Sequence, residues 1–250
     1  MRLIKITVAI SALFLNTISV AQSGYSLQEK IYKKAVTYGD LMVAKQALYT
    51  MMELKPSNTS LKDSLAILYF QSQAYVQSVL LTNEILTAKP ANQTALEIRA
   101  ISRQNLGLSK ESLADYETLH KLTKSPYHLY QIASIQYQIK RMAECEASIN
   151  QLLIDPKTDK EEISVVVGRG KRQKVPLKAA AMNMKGVLYK EMSKVELAKL
   201  QFSEALKLAP DFVLAKGNLT SLSTPAKDEV VKKETATTSS SNTTKKKKKK

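Results

Sequence analysis

Cysteine, histidine and tryptophan are nearly absent from this chain of 250 residues: one cysteine (Cys145), two histidines (His120 and His128) and no tryptophan. A lone cysteine excludes an intramolecular disulfide, so packing alone must hold the fold. The two histidines have no metal-ligand spacing to each other or to Cys145, so no metal or other cofactor is expected. Both flank the Lys124-Ser125-Pro126 loop, which predicts surface positions for them. Cys145 has no flanking histidine to activate it, and a buried packing thiol is expected rather than a nucleophile. Glycine is scarce, with seven in all, and Gly168-Arg169-Gly170-Lys171 has no following helix to make it a phosphate loop. Nothing here seats a catalytic centre, and the expectation is a protein that is not an enzyme. Leu, Ala, Lys, Ser and Glu dominate instead, a composition that favours helices.

Positive charge is plentiful but unevenly placed. Of the net +16, Arg2 and Lys5 hold +2, residues 224–250 hold +6 and residues 157–178 hold +4, which leaves +4 for everything else. A body so mildly basic is not built as a nucleic-acid groove. The first 21 residues have the pattern of an export signal: Arg2 and Lys5, an apolar run from Ile6 to Leu15, and the small-x-small Ser19-Val20-Ala21 before Gln22. The apolar run is short for a membrane span, so cleavage near Ala21-Gln22 is expected to leave no stable span. Export with almost no cysteine suggests a bacterial protein, periplasmic or secreted. From Ser223 to the end the chain turns Ser/Thr-rich and finishes in six lysines, Lys245–Lys250; too little apolar surface is present to order it.

The best-defined stretch is residues 179–210. Met182, Gly186 and Tyr189 fall on one face of a first helix, and Ala198, Phe202 and Ala205 on one face of a second, which Pro210 ends. Small residues on facing stripes allow close approach, and the aromatics fill the gaps beside them. Ala44, Leu48 and Met51 precede Pro56 by the distances at which Ala198, Phe202 and Ala205 precede Pro210. Pro56 and Pro90 are 34 residues apart, Pro126 follows after 36, Pro156 after 30, and Pro210 after one period plus an insertion. Each proline is read as closing a unit. Units two to four are less regular: Ser78 and Thr82 stand where an Ala and a bulky residue are expected, and Arg103 stands where an aromatic is expected.

This pattern resembles the tetratricopeptide repeat, a helix–turn–helix unit of 34 residues. The resemblance covers residues 24–154 and 179–222. It implies an all-α fold, a right-handed α-solenoid. Units one to four occupy residues 22–154 and a fifth unit with a capping helix occupies 179–222, with Asp211 as the expected N-cap of that last helix. Between them, residues 155–178 break the helical period. β-Branched Ile163–Val167, the turn Gly168–Lys171 and Gln173–Pro176 predict a small β-hairpin whose Val165 and Val167 lean on a helix.

The resemblance also implies binding of a protein or peptide along a concave groove lined by first helices. The residues at matching places are Glu29 and Lys33; Asp63, Ile67 and Phe70; Glu97, Ile101 and Gln104; Tyr127, Tyr130, Tyr137 and Gln138; and Asn183, Val187 and Lys190. Aromatics and amides dominate, which suits apolar contacts and backbone hydrogen bonds rather than a carboxylate clamp. The same tyrosines could instead fill helix–helix gaps. A second candidate is the basic patch of Arg169, Lys171, Arg172 and Lys174, which could meet an anionic envelope polymer or a membrane surface, or simply solvate the turn.

Overall fold

The computed structural model describes residues 22–223. The export signal and nearly all of the Ser/Thr/Lys tail lie outside the described residues. Within them the chain forms α1 (22–37), α2 (Leu41–Leu54), α3 (Ser60–Gln71), α4 (Tyr75–Ala88), α5 (Gln93–Asn105), α6 (Ser109–Thr123), α7 (Pro126–Gln138), α8 (Met142–Ile154), β1 (Glu162–Gly168), β2 (Lys171–Pro176), α9 (Leu177–Glu191), α10 (Val195–Leu208) and α11 (Val213–Ser223). From α2 onward consecutive helices pack on one another, and Ala35 of α1 shares a core cluster with Ala44 and Leu48 of α2, giving an α-solenoid of five helical hairpins and a final helix.

The backbone repeats more faithfully than the side chains do. Every hairpin turns through one residue in the left-handed region: Gly39, Gln73, Gly107, Lys140 and Ser193. Behind each of them the next amide donates to a carbonyl five residues back. These bonds run from Asp40, Ala74, Leu108, Arg141 and Lys194 to Ala35, Tyr69, Arg103, Gln136 and Tyr189, at 2.8–2.9 Å. This is the Schellman closure, which satisfies the last carbonyls of a helix while reversing the chain. Glycine takes that conformation freely at 39 and 107. At 73, 140 and 193 an ordinary side chain takes it at a cost of about 1 kcal/mol, and the packing of the hairpin offsets it.

Pro56, Pro90, Pro156 and Pro210 each stand two residues past the end of a second helix. The residue before three of them is forced off the helical region, with φ near −140° at Lys55, Lys89 and Ala209. Pro126 is different and corrects the sequence reading: it opens α7 rather than closing the third unit. Lys124, left-handed, ends α6, and the Ser125 Oγ accepts from the Tyr127 amide at 3.2 Å. At the first helical position a proline lacks only a donor that would have been unpaired.

Each hairpin buries one small residue completely where its second helix meets its first: Ala44, Ser78, Ser112, Cys145 and Ala198. Burial pushes the Cys145 thiol up to about 11, as suits a packing residue. In the fifth hairpin a Cβ added at Gly186 would lie 2.5 Å from the Phe202 ring, so only glycine lets α9 and α10 approach as they do.

The hairpin forms as expected, antiparallel, with Ile163 opposite Val175 and Val165 opposite Gln173. Its insertion is slightly shorter than predicted, because α9 already begins at Leu177. Ile163 and Val175 are buried in the main core and Val165 packs against it, while Val167 is only half-buried. Gln173 fastens the hairpin to the last helix. Its Nε2 donates to the Asp211 carbonyl at 2.9 Å and its Oε1 accepts from the Val213 amide at 3.0 Å. Asp211 is therefore not the N-cap. Phe212, fully buried, holds that place, and a glutamine 40 residues upstream supplies the missing acceptor.

Candidate functional site

On α7 the buried face holds Pro126, His128, Leu129, Ile132, Ala133, Ile135 and Gln136, and Tyr127, Tyr130, Ser134 and Tyr137 are neighbours along the remaining face. All four are half-buried. Tyr127 and Tyr130 pack at the edge of the main core, and burial pushes the Tyr130 phenol up to about 12. Burial also raises Tyr127, which bonds to Gln131, lies edge-on to His128 and feels the charges of Glu97 on α5 and Arg172 on the hairpin. Tyr137 sits at the other end of the helix, with the Lys140 ammonium 5.4 Å from its ring centroid and Glu191 of α9 at its hydroxyl. At neutral pH all of these phenols are protonated, so each can donate as well as accept.

The remaining positions divide into available and occupied. Glu97, Ile101 and Gln104 on α5 are half-buried, and Gln138 is exposed. On α3, Asp63 accepts from the Asn92 amide at 3.1 Å and Phe70 packs at a tilt against Tyr75. Glu29 and Lys33 pair with each other at 2.7 Å. Asn183 is buried, its Oδ1 accepting from Asn218 of α11 at 2.9 Å, and Lys190 donates to Ser221 of the same helix at 3.1 Å. The capping helix therefore occupies Asn183 and Lys190 of the α9 part of the stripe, while Tyr127, Tyr130 and Tyr137 on α7 keep partial exposure.

The basic hairpin patch is partly neutralised from within. Lys174 pairs with Glu162 on the opposite strand, and Arg172 donates to the Ser164 hydroxyl and carbonyl, both at 3.1 Å. Arg169 and Lys171 stand exposed at the turn.

Two findings depart from the sequence reading. His128 is buried rather than superficial: its Nδ1 lies 2.9 Å from the Thr123 hydroxyl, and the ring packs beside Tyr116 and Tyr127. Burial lowers its pKa, so the ring is held neutral. The second is a polar cluster between α4, α5 and α6. Asp115, almost fully buried, accepts from Arg99 at 2.6 and 3.1 Å and from Arg103 at 2.6 Å, while Arg99 also donates to Asn83 at 2.8 Å. Arg103 at an aromatic position was the signal for it. Among the described residues no group of acidic, histidine and cysteine side chains could hold a metal ion, and no helix is long and apolar enough to cross a membrane.

This architecture, five Schellman-turned hairpins with small residues at the crossings, is the tetratricopeptide-repeat fold. Solved structures agree with it. A tetratricopeptide repeat protein from Parabacteroides merdae matches with a TM-score of 0.64 over 80% of this chain and 72% of its own, at 18% identity. MamA from Desulfovibrio magneticus matches with a TM-score of 0.59 over 76% of this chain and 97% of its own, at 11% identity. YrrB, a tetratricopeptide protein with an unusual peptide-binding site, matches with a TM-score of 0.59 over 74% of this chain and 87% of its own, at 15% identity. No family model and no curated protein matches the sequence.

Proposed function

We propose that this protein is an exported, non-enzymatic scaffold that holds an extended segment of a partner protein along the groove lined by its first helices. The observation that carries this reading is the α7 stripe of Tyr127, Tyr130 and Tyr137, protonated and partly buried on one helical face, with Gln138 exposed at its end, while α11 occupies Asn183 on α9. Aromatic faces supply apolar area at low entropic cost, and amide and hydroxyl groups bond to the backbone of an extended peptide. The peptide-binding site of YrrB, on the same fold, supports a peptide as the occupant. Export rests on the signal pattern of residues 1–21, and the cell envelope of a bacterium is the corresponding setting.

The alternative is an adaptor to an anionic envelope polymer or membrane surface through the hairpin and the lysine tail. Within the patch only Lys174 is ion-paired, and Arg169, Lys171 and Arg172 stay exposed with their charge uncompensated. One experiment separates the two. The full mature chain is used to capture partners from an envelope extract at low salt and at about 0.5 M salt, where charges more than a few ångströms apart are screened. Capture that persists in salt and is lost in Tyr130→Ala/Tyr137→Ala, with helicity by circular dichroism unchanged, is the expected result. Capture that vanishes in salt and is indifferent to the tyrosines would replace the groove by the basic patch.

A further inference from the structure

The Arg99–Asp115–Arg103 cluster has two cations for one anion. Asp115 is 4% exposed in its side chain, and the arginines are 18% and 17% exposed. One arginine would neutralise this carboxylate; a second guanidinium, largely withdrawn from water, has no counter-charge of its own. Burying such a charge is costly unless an opposite charge meets it. The bonds described above engage one N–H on each terminal nitrogen of Arg99, and each of those nitrogens carries a second.

Arg99 also forms part of the floor of a cleft of about 440 Å³ between the second helices α4 and α6, with Asn83, Thr87, Pro90 and Thr118 around it. We propose that this cleft is an anion site that takes the carboxylate of an acidic side chain presented by a partner protein. Each terminal nitrogen of the guanidinium keeps an N–H for the acid, and the bound acid completes the charge balance of the cluster. The next cleft along the solenoid, between α2 and α4, is mainly apolar, lined by Tyr49, Met52, Tyr69, Leu80 and Leu81 with the Lys62–Glu84 ion pair among them, and Leu80 is 61% exposed. An inorganic anion gains nothing from that neighbour. A protein segment with an apolar residue beside its acid does. The cleft lies between second helices and Arg99 reaches it from the first helix α5, but none of its lining residues is one of the first-helix groove positions.

The test follows the Nε–Hε resonances of Arg99 and Arg103 in the full chain, with acetate standing in for the side-chain carboxylate and sodium chloride and phosphate at matched ionic strength as the other arms. Saturable displacement of both resonances by acetate is expected, with chloride producing none. In Thr87→Glu, where the cleft lip carries its own acid, the acetate response should disappear. In Arg99→Gln the Arg103 resonance should no longer respond, and if that variant fails to fold, Thr87→Glu decides alone. Equal displacement by chloride, an acetate response unchanged in Thr87→Glu, or saturation by phosphate without any by acetate would each overturn the assignment.

Discussion

The third and fifth hairpins place a small residue and a buried aromatic at equivalent positions, Ala100 with Tyr116 and Gly186 with Phe202, but differ in the contact beside that pair. In the fifth, Tyr189 on α9 stands 12 residues before Gln201 on α10, and contact is steric: Gly186 admits the Phe202 ring into the space a Cβ would fill. In the third, the positions equivalent to Tyr189 and Gln201 hold Arg103 and Asp115, and contact is ionic. The fourth hairpin takes a middle course at the same spacing, with Gln136 accepting from Ser148 at 2.8 Å. Around the third hairpin polar packing spreads further: Ser102 donates to Ser78 at 3.2 Å, and Ser112 donates to the Ala100 carbonyl at 2.8 Å. One backbone geometry, fixed by the turn, thus accepts apolar, amide or ionic contacts between its helices. What differs is the consequence of losing a partner. An apolar contact is lost in proportion to its area, whereas a buried charge left alone becomes a penalty.

That difference sets the order of the expected effects. Asp115→Ala leaves two largely buried guanidinium groups without an anion and should destabilise the middle of the solenoid by about 3–5 kcal/mol. The measurement is the urea midpoint together with hydrogen exchange of α4, α5 and α6, and the loss should be confined to those helices. A loss below about 1 kcal/mol, in the range of an exposed pair, would erase the distinction between the two hairpins.

In the fifth hairpin the corresponding break is Gly186→Ala. The added methyl meets Cε1, Cδ1 and Cζ of Phe202 at 2.5, 2.6 and 2.9 Å, and Phe202 is fully buried, so the ring cannot swing away. Overpacking costs about 1–3 kcal/mol, and the better helix propensity of alanine returns up to about 1 kcal/mol of it. The net effect should be a smaller loss than at Asp115, seen as a lower thermal midpoint, and Phe202→Leu in the same chain should recover part of it. If Gly186→Ala is stabilising, steric fit is not what holds α9 to α10.

The steric hairpin was readable from sequence because size and spacing are local properties. Gly186, Phe202 and Pro210 state their packing roles within one repeat length. The ionic hairpin was only half readable: Arg103 at an aromatic position signals an exception, but its partner is identified only once the spacing of 12 across the turn is known. Pro126 satisfied the proline period while doing a different job, because both a helix start and the second residue past a helix end tolerate the missing amide hydrogen. Gln173 reaches the start of α11 from a hairpin whose docking no local pattern specifies. The same holds at the candidate groove. The helical period placed Tyr127, Tyr130 and Tyr137 on one stripe, but that Asn183 is occupied by Asn218 depends on where α11 lies.

The smallest effect, and the one that separates the two regions by pH, belongs to His128. Its ring packs against Tyr116 of the polar third hairpin, and the charged groups acting on it are Glu97, which favours the protonated form, and His120, which opposes it; burial outweighs both and lowers the pKa. The unfolded chain, with a histidine pKa of about 6.5, therefore binds the proton first as pH falls. Between that value and the lower folded pKa the unfolded state holds more protons, so stability rises with pH in that window. The contribution is fully present above about pH 6.5, declines as pH falls from there towards the folded pKa, and is flat below it. Urea midpoints taken from pH 7.5 down to 5 should show this decline, and His128→Gln should remove its histidine component while leaving the carboxylate titrations in place. Hydrogen exchange should locate the loss at α6 and α7 and spare α9 and α10, whose steric contact contains no group that titrates in this range. A pH response of equal size in α9 and α10 would mean that the two regions unfold as one unit.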